Sequence, residues 1–217
     1  MELIKQNTQA QIIKSILVIF LGSVLLAVSA KIKIPFYPVP MTMQTFVVLF
    51  IGISFGYKIG VATIGLYLIE GIAGLPVFSN SPERGIGLTY FTGPTMGYLI
   101  GFLSACFLAS FVKLNDNYLI IFSKLILAVS TIYIFGILWL GTLIGWDKPI
   151  FDLGVKPFLL AEIFKIALLV LIAKKILKTN APITPHRIIC FLFLGTKFEA
   201  IEPTITALSA VNIIVIK

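Results

Sequence analysis

Polar side chains able to do chemistry are scarce in this chain, and they stand at the edges of long apolar runs. Thr42 and Gln44 open the run MTMQTFVVLF just after three prolines, Pro35, Pro38 and Pro40, while Glu162 and Lys165 lie inside PFLLAEIFKIALL. A hydroxyl and a primary amide each offer donors and acceptors. A carboxylate and an ammonium three residues apart share one face of a helix. Charges within an apolar span are costly to bury and mark a solute path by default. Two readings of Glu162 and Lys165 therefore stand side by side: they neutralise each other, or they face a pocket from the first turns of a helix that begins at Pro157. Glu70, in YLIEGIAGLPVF, is read as a structural hydrogen-bond partner for a neighbouring helix or as a further functional group.

The chemistry on offer is that of binding. No GxxxxGK[ST] occurs, so the chain has no phosphate loop of the usual kind for ATP. The single histidine, His186, sits in the tail beside Pro185 and Arg187, and no carboxylates or cysteines repeat at metal-ligand spacing, so neither a metal nor a resident cofactor is expected. Cys106 and Cys190 make no disulfide framework. An intramembrane enzyme is a remote alternative. A proton-coupled secondary carrier for a small carboxylate-bearing solute is the stronger rival, because paired intramembrane charges also suit proton coupling, but the inverted repeat with interrupted helices usual in such carriers is not visible.

These residues need a scaffold, and composition names it. Hydrophobic residues make up 59% of the 217 and charged residues 12%, against roughly 45–50% and about 25% in soluble domains. The chain is expected to be an all-α integral membrane protein. Apolar segments at 12–30, 41–57, 59–78, 91–112, 118–145 and 157–173 predict a bundle of six transmembrane helices. The breaks carry prolines, glycines or charges, and none is long enough for a soluble domain. Residues 1–178 are read as one membrane domain and 179–217 as a tail of unassigned structure. The first segment, with Lys5 and Lys14 ahead of it and Val28-Ser29-Ala30 at its end, has the look of a secretory signal, but five further apolar segments favour a retained helix.

Six spans put nine Lys and Arg residues on the side of both termini and five on the other. Both termini are therefore expected in the cytoplasm, with the non-helical loops around Pro38, Arg84 and Asp147 together outside, capping a ligand pocket. The net charge of +8 is mostly this bias and calls for no nucleic acid. Small residues recur at four-residue spacing as Gly93, Gly97, Gly101, Ala105 and Ala109, and as Gly52, Gly56 and Gly60, a pattern that lets helix backbones approach closely.

Two stretches carry more specific information: KIPFYPVPMTMQTFVVLF (33–50) and LPVFSNSPERGIGLTYFTGPTMGYLIGF (75–102). With Gly71 to Phe78 as GIAGLPVF and the later Glu162 and Lys165, they resemble, in order, the biotin-specific substrate-binding (S) components of energy-coupling-factor vitamin transporters, the BioY family. Met96 departs from a glycine in that pattern, Glu162 from an aspartate, and SNSPERGIG from a purely glycine-rich loop. The resemblance implies a multi-pass subunit of the bacterial plasma membrane that binds biotin or a close precursor such as desthiobiotin. Its implied partners are a transmembrane coupling subunit and, through it, cytoplasmic ATPases. It implies Glu162 and Asn80 for the polar atoms of the ureido ring, Gln44, Thr42 and Tyr98 for further hydrogen bonds, and Phe36, Tyr37 and Phe78 for the apolar wall. Arg84 or Lys165 is implied for the valerate carboxylate. It also implies that Gly22, Ser23 and Ala27, small residues on the first helix, face outward to dock the membrane partner.

Overall fold

The chain, described from a computed structural model over residues 2–34, 37–113 and 115–178, is predominantly helical. Helix α1 (Glu2–Lys31) turns Val18, Gly22, Leu26 and Ala30 inward at a spacing of four, and leaves Ile13, Ile16, Phe20 and Val28 exposed. That is an apolar helix with both faces apolar, as expected for a helix packed on protein on one side and lipid on the other. The prolines that follow forbid another turn of helix. The chain instead forms a two-residue ribbon, β1 (Lys33–Ile34) antiparallel to β2 (Met41–Thr42), with Lys33 opposite Thr42.

Helix α2 (Gln44–Ile72) is 29 residues long and is broken at Gly56, whose φ of 72° and ψ of 177° are not helical. A residue with a side chain rarely takes this conformation, and glycine takes it freely. The chain doubles back there. A Cβ placed on Gly60 would stand 3.6 Å from the Cα of Gly52, whereas eight residues of straight helix span about 12 Å. The limbs 44–55 and 57–72 thus lie against each other, and the expected break at Gly56-Tyr57-Lys58 is where the turn occurs. The second limb stops at Ile72, short of the expected Phe78, because Gly74 (φ 97°) and Pro76 end it.

Pro94 likewise splits the expected segment 91–112 into a single turn, α3 (Leu88–Phe91), and α4 (Met96–Ala109). Helix α5 (Tyr118–Ile144) follows, then α6 (Ile150–Gly154), a 3₁₀ turn (Lys156–Phe158) and α7 (Leu159–Lys178). Among the described residues three helices, over 11–31, 44–72 and 118–144, are long and apolar enough to cross a membrane.

The glycine stripe of α4 is buried, and it sets the depth of the bundle. A Cβ on Gly97 would collide with the Phe135 carbonyl and Trp139, and one on Gly101 would sit 2.6 Å from the Cα of Ile132, so α4 and α5 touch backbone to backbone. On its other side α4 meets α2, where a Cβ on Gly52 would stand 2.5 Å from the Cys106 carbonyl.

Ribbon, 73–95 loop and 145–158 segment gather at one end. Lys31 Nζ donates to the carbonyls of Phe78 and Ser81, both at 2.8 Å, and Arg84 donates to the Pro38 carbonyl at 2.7 Å. Tyr98 and Trp139 reach the carbonyls of Gly154 and Gly93. The opposite end holds the Gly56 turn, where Tyr57 packs edge-on to Phe107, and the 110–117 loop, where Lys174 lies 4.5 Å over the Tyr118 ring.

Candidate ligand-binding site

Beneath the ribbon lies a cavity with about 520 Å³ of empty space, counting its open mouth. Val39, Pro40, Met41 and Thr42 form the ribbon side, Gln44 and Thr45 the start of α2, and Ser79, Tyr90 and Thr95 the cap. Tyr98, Leu99 and Phe102 come from α4, Ile132 and Tyr133 from α5, and Phe158 and Glu162 from the start of α7.

Glu162 and Lys165 are 5% and 6% exposed and form an ion pair of 2.8 Å. The ammonium donates to Glu162 Oε1, to Thr45 Oγ1 at 2.9 Å and to the Thr42 carbonyl at 2.7 Å, so its three protons are all used inside the chain. The Thr45 hydroxyl in turn donates to the same oxygen, Glu162 Oε1, at 3.0 Å. Two donors thus converge on Oε1, and Oε2 is buried without a hydrogen bond of good geometry, the Tyr133 phenol being a neighbouring donor within reach of the carboxylate. A buried anion with one oxygen fully occupied and the other bare is an acceptor presented for an N–H or O–H donor. Sequence reasoning missed Thr45, though it belongs to the same polar cluster as Thr42 and Gln44, and also Ser79, Tyr90 and Tyr133.

Gln44 donates through Nε2 to Tyr67 at 2.7 Å, and its Oε1 accepts from Thr42 at 3.3 Å. Ser79 Oγ, on the cap, is a second buried polar atom without a partner. It is also the residue next to the expected one. Asn80 does not line the cavity; its Oδ1 accepts from Lys33 Nζ at 2.8 Å, which ties the ribbon to the cap. Tyr90 lines the cavity with its ring stacked 4.7 Å from Phe78, and burial pushes its phenol above the ordinary value, keeping it a neutral donor beside Thr95 and the Asn80 backbone.

Of the expected site residues, Thr42, Gln44, Tyr98 and Glu162 line the cavity and Lys165 holds Glu162 in place. Tyr98 has its hydroxyl on the Gly154 carbonyl at 2.9 Å, so it offers a ring rather than a free donor. Phe78 lies behind the wall, buried where a Cβ on Gly71 would meet its ring, and it supports Tyr90 and Tyr67. Tyr37 is 78% exposed, 5.7 Å beneath the Arg84 guanidinium, and both lie on the outer face of the cap. Phe36 and residues 179–217 lie outside the described residues.

The expectation of an outward small-residue face on α1 is corrected. Ser23 is 0% exposed and donates to Glu70 at 2.9 Å, and a Cβ on Gly22 would stand 2.6 Å from the Thr63 methyl. Ala27 is half-buried against the core. Close approach of α1 to the second limb of α2 is what the small residues permit, and Glu70 has the structural partner that the sequence left open.

An apolar helical bundle with a buried carboxylate turned into a largely apolar cavity, roofed by non-helical backbone, is the architecture of membrane proteins that hold a small solute with a polar group. The BioY family model matches residues 4–181, and the chain belongs to the BioY family. It is 36% identical over 163 residues to the "Probable biotin transporter BioY" of Pyrococcus horikoshii, covering 75% of this chain and 96% of that one. It is 30% identical to the "Biotin transporter BioY" of Thermotoga maritima, over 71% and 90% of the two chains. The fold is similar to that of a crystallised "S-component for biotin from an ECF-type ABC transporter", with a TM-score of 0.67 at 23% identity over 79% of this chain and 95% of that one.

Proposed function

We propose that this protein is the biotin-binding membrane subunit of an energy-coupling-factor importer. It crosses the plasma membrane six times, counting the two limbs of α2, with both termini cytoplasmic and the cavity facing out. The observation that carries the reading is the buried Glu162, its Oε1 occupied by Lys165 and Thr45 and its Oε2 bare at the cavity wall. Biotin's ureido ring brings two N–H donors and a carbonyl. Glu162 Oε2 and Gln44 Oε1 accept the two N–H groups, Ser79 Oγ donates to an acceptor atom, and Tyr90, Tyr98, Phe102 and Tyr133 enclose the bicycle.

Lys165 has no proton left for a ligand carboxylate, so the valerate falls to Arg84, whose planar fork suits two carboxylate oxygens and is committed to the Pro38 carbonyl at one nitrogen. Arg84 lies outside the cavity lining, over the ribbon, where a valerate leaving through the mouth would reach it. ATP hydrolysis belongs to partner subunits engaged through a transmembrane coupling protein. Titration of the purified chain in detergent with biotin is expected to show tight, saturable binding without turnover. ATP hydrolysis or chemical conversion of biotin by the chain alone would overturn the class.

A further inference from the structure

We infer that Tyr67 is a positioning residue for ligand selection, fixing the amide of Gln44 so that its carbonyl oxygen, and not its NH2, faces the cavity. The inference rests on the biotin-binding reading and adds a residue that touches no ligand. Tyr67 is 0% exposed, belongs to the second limb of α2, and is absent from the cavity wall. Its hydroxyl has one proton to give, and the Val77 carbonyl, 3.3 Å away, can only accept. An unpaired backbone carbonyl in this half-buried corner, facing the fully buried Tyr67, is unfavourable. With its proton on Val77, the Tyr67 oxygen must accept from Gln44, and only the NH2 of that amide can donate, at 2.7 Å.

The other edge of the amide then points the opposite way. Oε1 lies by Thr42, which lines the cavity, while Nε2 lies by Tyr67, which does not. The ring of Tyr67 is itself held, edge-on against Phe78 at 5.3 Å, and Phe78 is seated in the space left by Gly71. The result is a wall with two acceptors, Gln44 Oε1 and Glu162 Oε2, each turned inward by a residue behind it, Tyr67 for the first and Lys165 for the second. Such a wall selects a ring with two N–H donors and rejects one in which a donor is replaced by an acceptor, since the buried partner is then left facing a lone pair.

The test is the affinity of wild type and Tyr67→Phe for three ligands, measured by calorimetry in detergent: biotin, and the two cyclic carbamate analogues in which one or the other ureido N–H is replaced by oxygen. Phe keeps the ring and releases the amide, which is then free to turn its NH2 toward the ligand. Tyr67→Phe should bind biotin about tenfold more weakly, the effect of one hydrogen bond. Its preference for biotin over one carbamate, the one whose oxygen faces Gln44, should fall about tenfold or more, while its preference over the other should stay within about twofold. A purely structural role moves all three ligands together. Equal losses for the three, or no change in either preference, overturns the assignment of Tyr67 alone. Failure of the wild type to bind biotin overturns both this inference and the reading beneath it.

Discussion

Lys165→Met removes an ammonium and keeps a side chain of similar length. The structure assigns that ammonium three acceptors, at 2.7, 2.8 and 2.9 Å, all within the chain. After the substitution the buried Glu162 loses its cation and keeps the Thr45 hydroxyl as a donor, and the Thr42 carbonyl on β2 loses its tie to α7. Removing one side of a buried pair costs about 3–5 kcal/mol, mostly because a charge is stranded. Equilibrium unfolding in mixed micelles should show a loss of that size. Adding Glu162→Gln to Lys165→Met removes the stranded charge and should return more than half of the lost stability, since neutral replacements for buried pairs are often close to neutral in effect. A double variant no more stable than Lys165→Met would refute the reasoning, because the two side chains would then not be energetically coupled.

Arg84→Ala should weaken biotin by about fivefold, the effect of losing an exposed charge pair worth about 1 kcal/mol, and should change the affinity for biotin amide less; equal losses for the two ligands would remove Arg84 from the carboxylate. Gly56→Ala meets no atom within 4 Å, so its effect is backbone strain alone at φ 72° and ψ 177°, about 1–3 kcal/mol of stability by unfolding midpoint. Ser23→Trp pushes a ring into the packed α1–α2 interface and should destabilise the chain by about 1–3 kcal/mol, whereas Val24→Trp, on the exposed face, should leave unfolding unchanged. The Lys124 ammonium bonded to Asp116 holds that carboxyl below its ordinary value, so the pair stabilises the fold above the unfolded-state value and the benefit is lost as pH falls through the folded one. The stability difference between wild type and Asp116→Asn should be level near neutral pH and shrink below about pH 4.

Much of the scaffold was legible along the chain because membrane helices are specified locally. Twenty apolar residues in a row and a proline or glycine at the end decide a span without reference to partners, and 118–145 was accordingly read within one residue of the observed end of α5. Ends set by φ were harder. Gly74 and Pro94 each moved a boundary, and neither residue's backbone angle can be read from hydropathy. The pairing of Glu162 with Lys165 also followed from spacing, since residues three apart meet on any helix.

Hydropathy, prolines and the spacing of Glu162 and Lys165 are enough to define a bundle of apolar helices with a proline-bounded cap and a charged pair near its mouth. Which side chains face the ligand was decided by tertiary structure. Asn80 and Ser79 are neighbours in the chain, but Lys33 takes the first and the cavity receives the second. Ser23 and Gly22 read as an outer stripe until α2 packs on them, because a helix of apolar residues all round carries no local mark of which face meets protein and which meets lipid. Hydrogen-bond direction was equally beyond reach. That Glu162 shows Oε2 and Gln44 shows Oε1 depends on Thr45, Lys165 and Tyr67 arriving from other turns and another limb, and a donor's partner is fixed only when the helices that carry both are in contact.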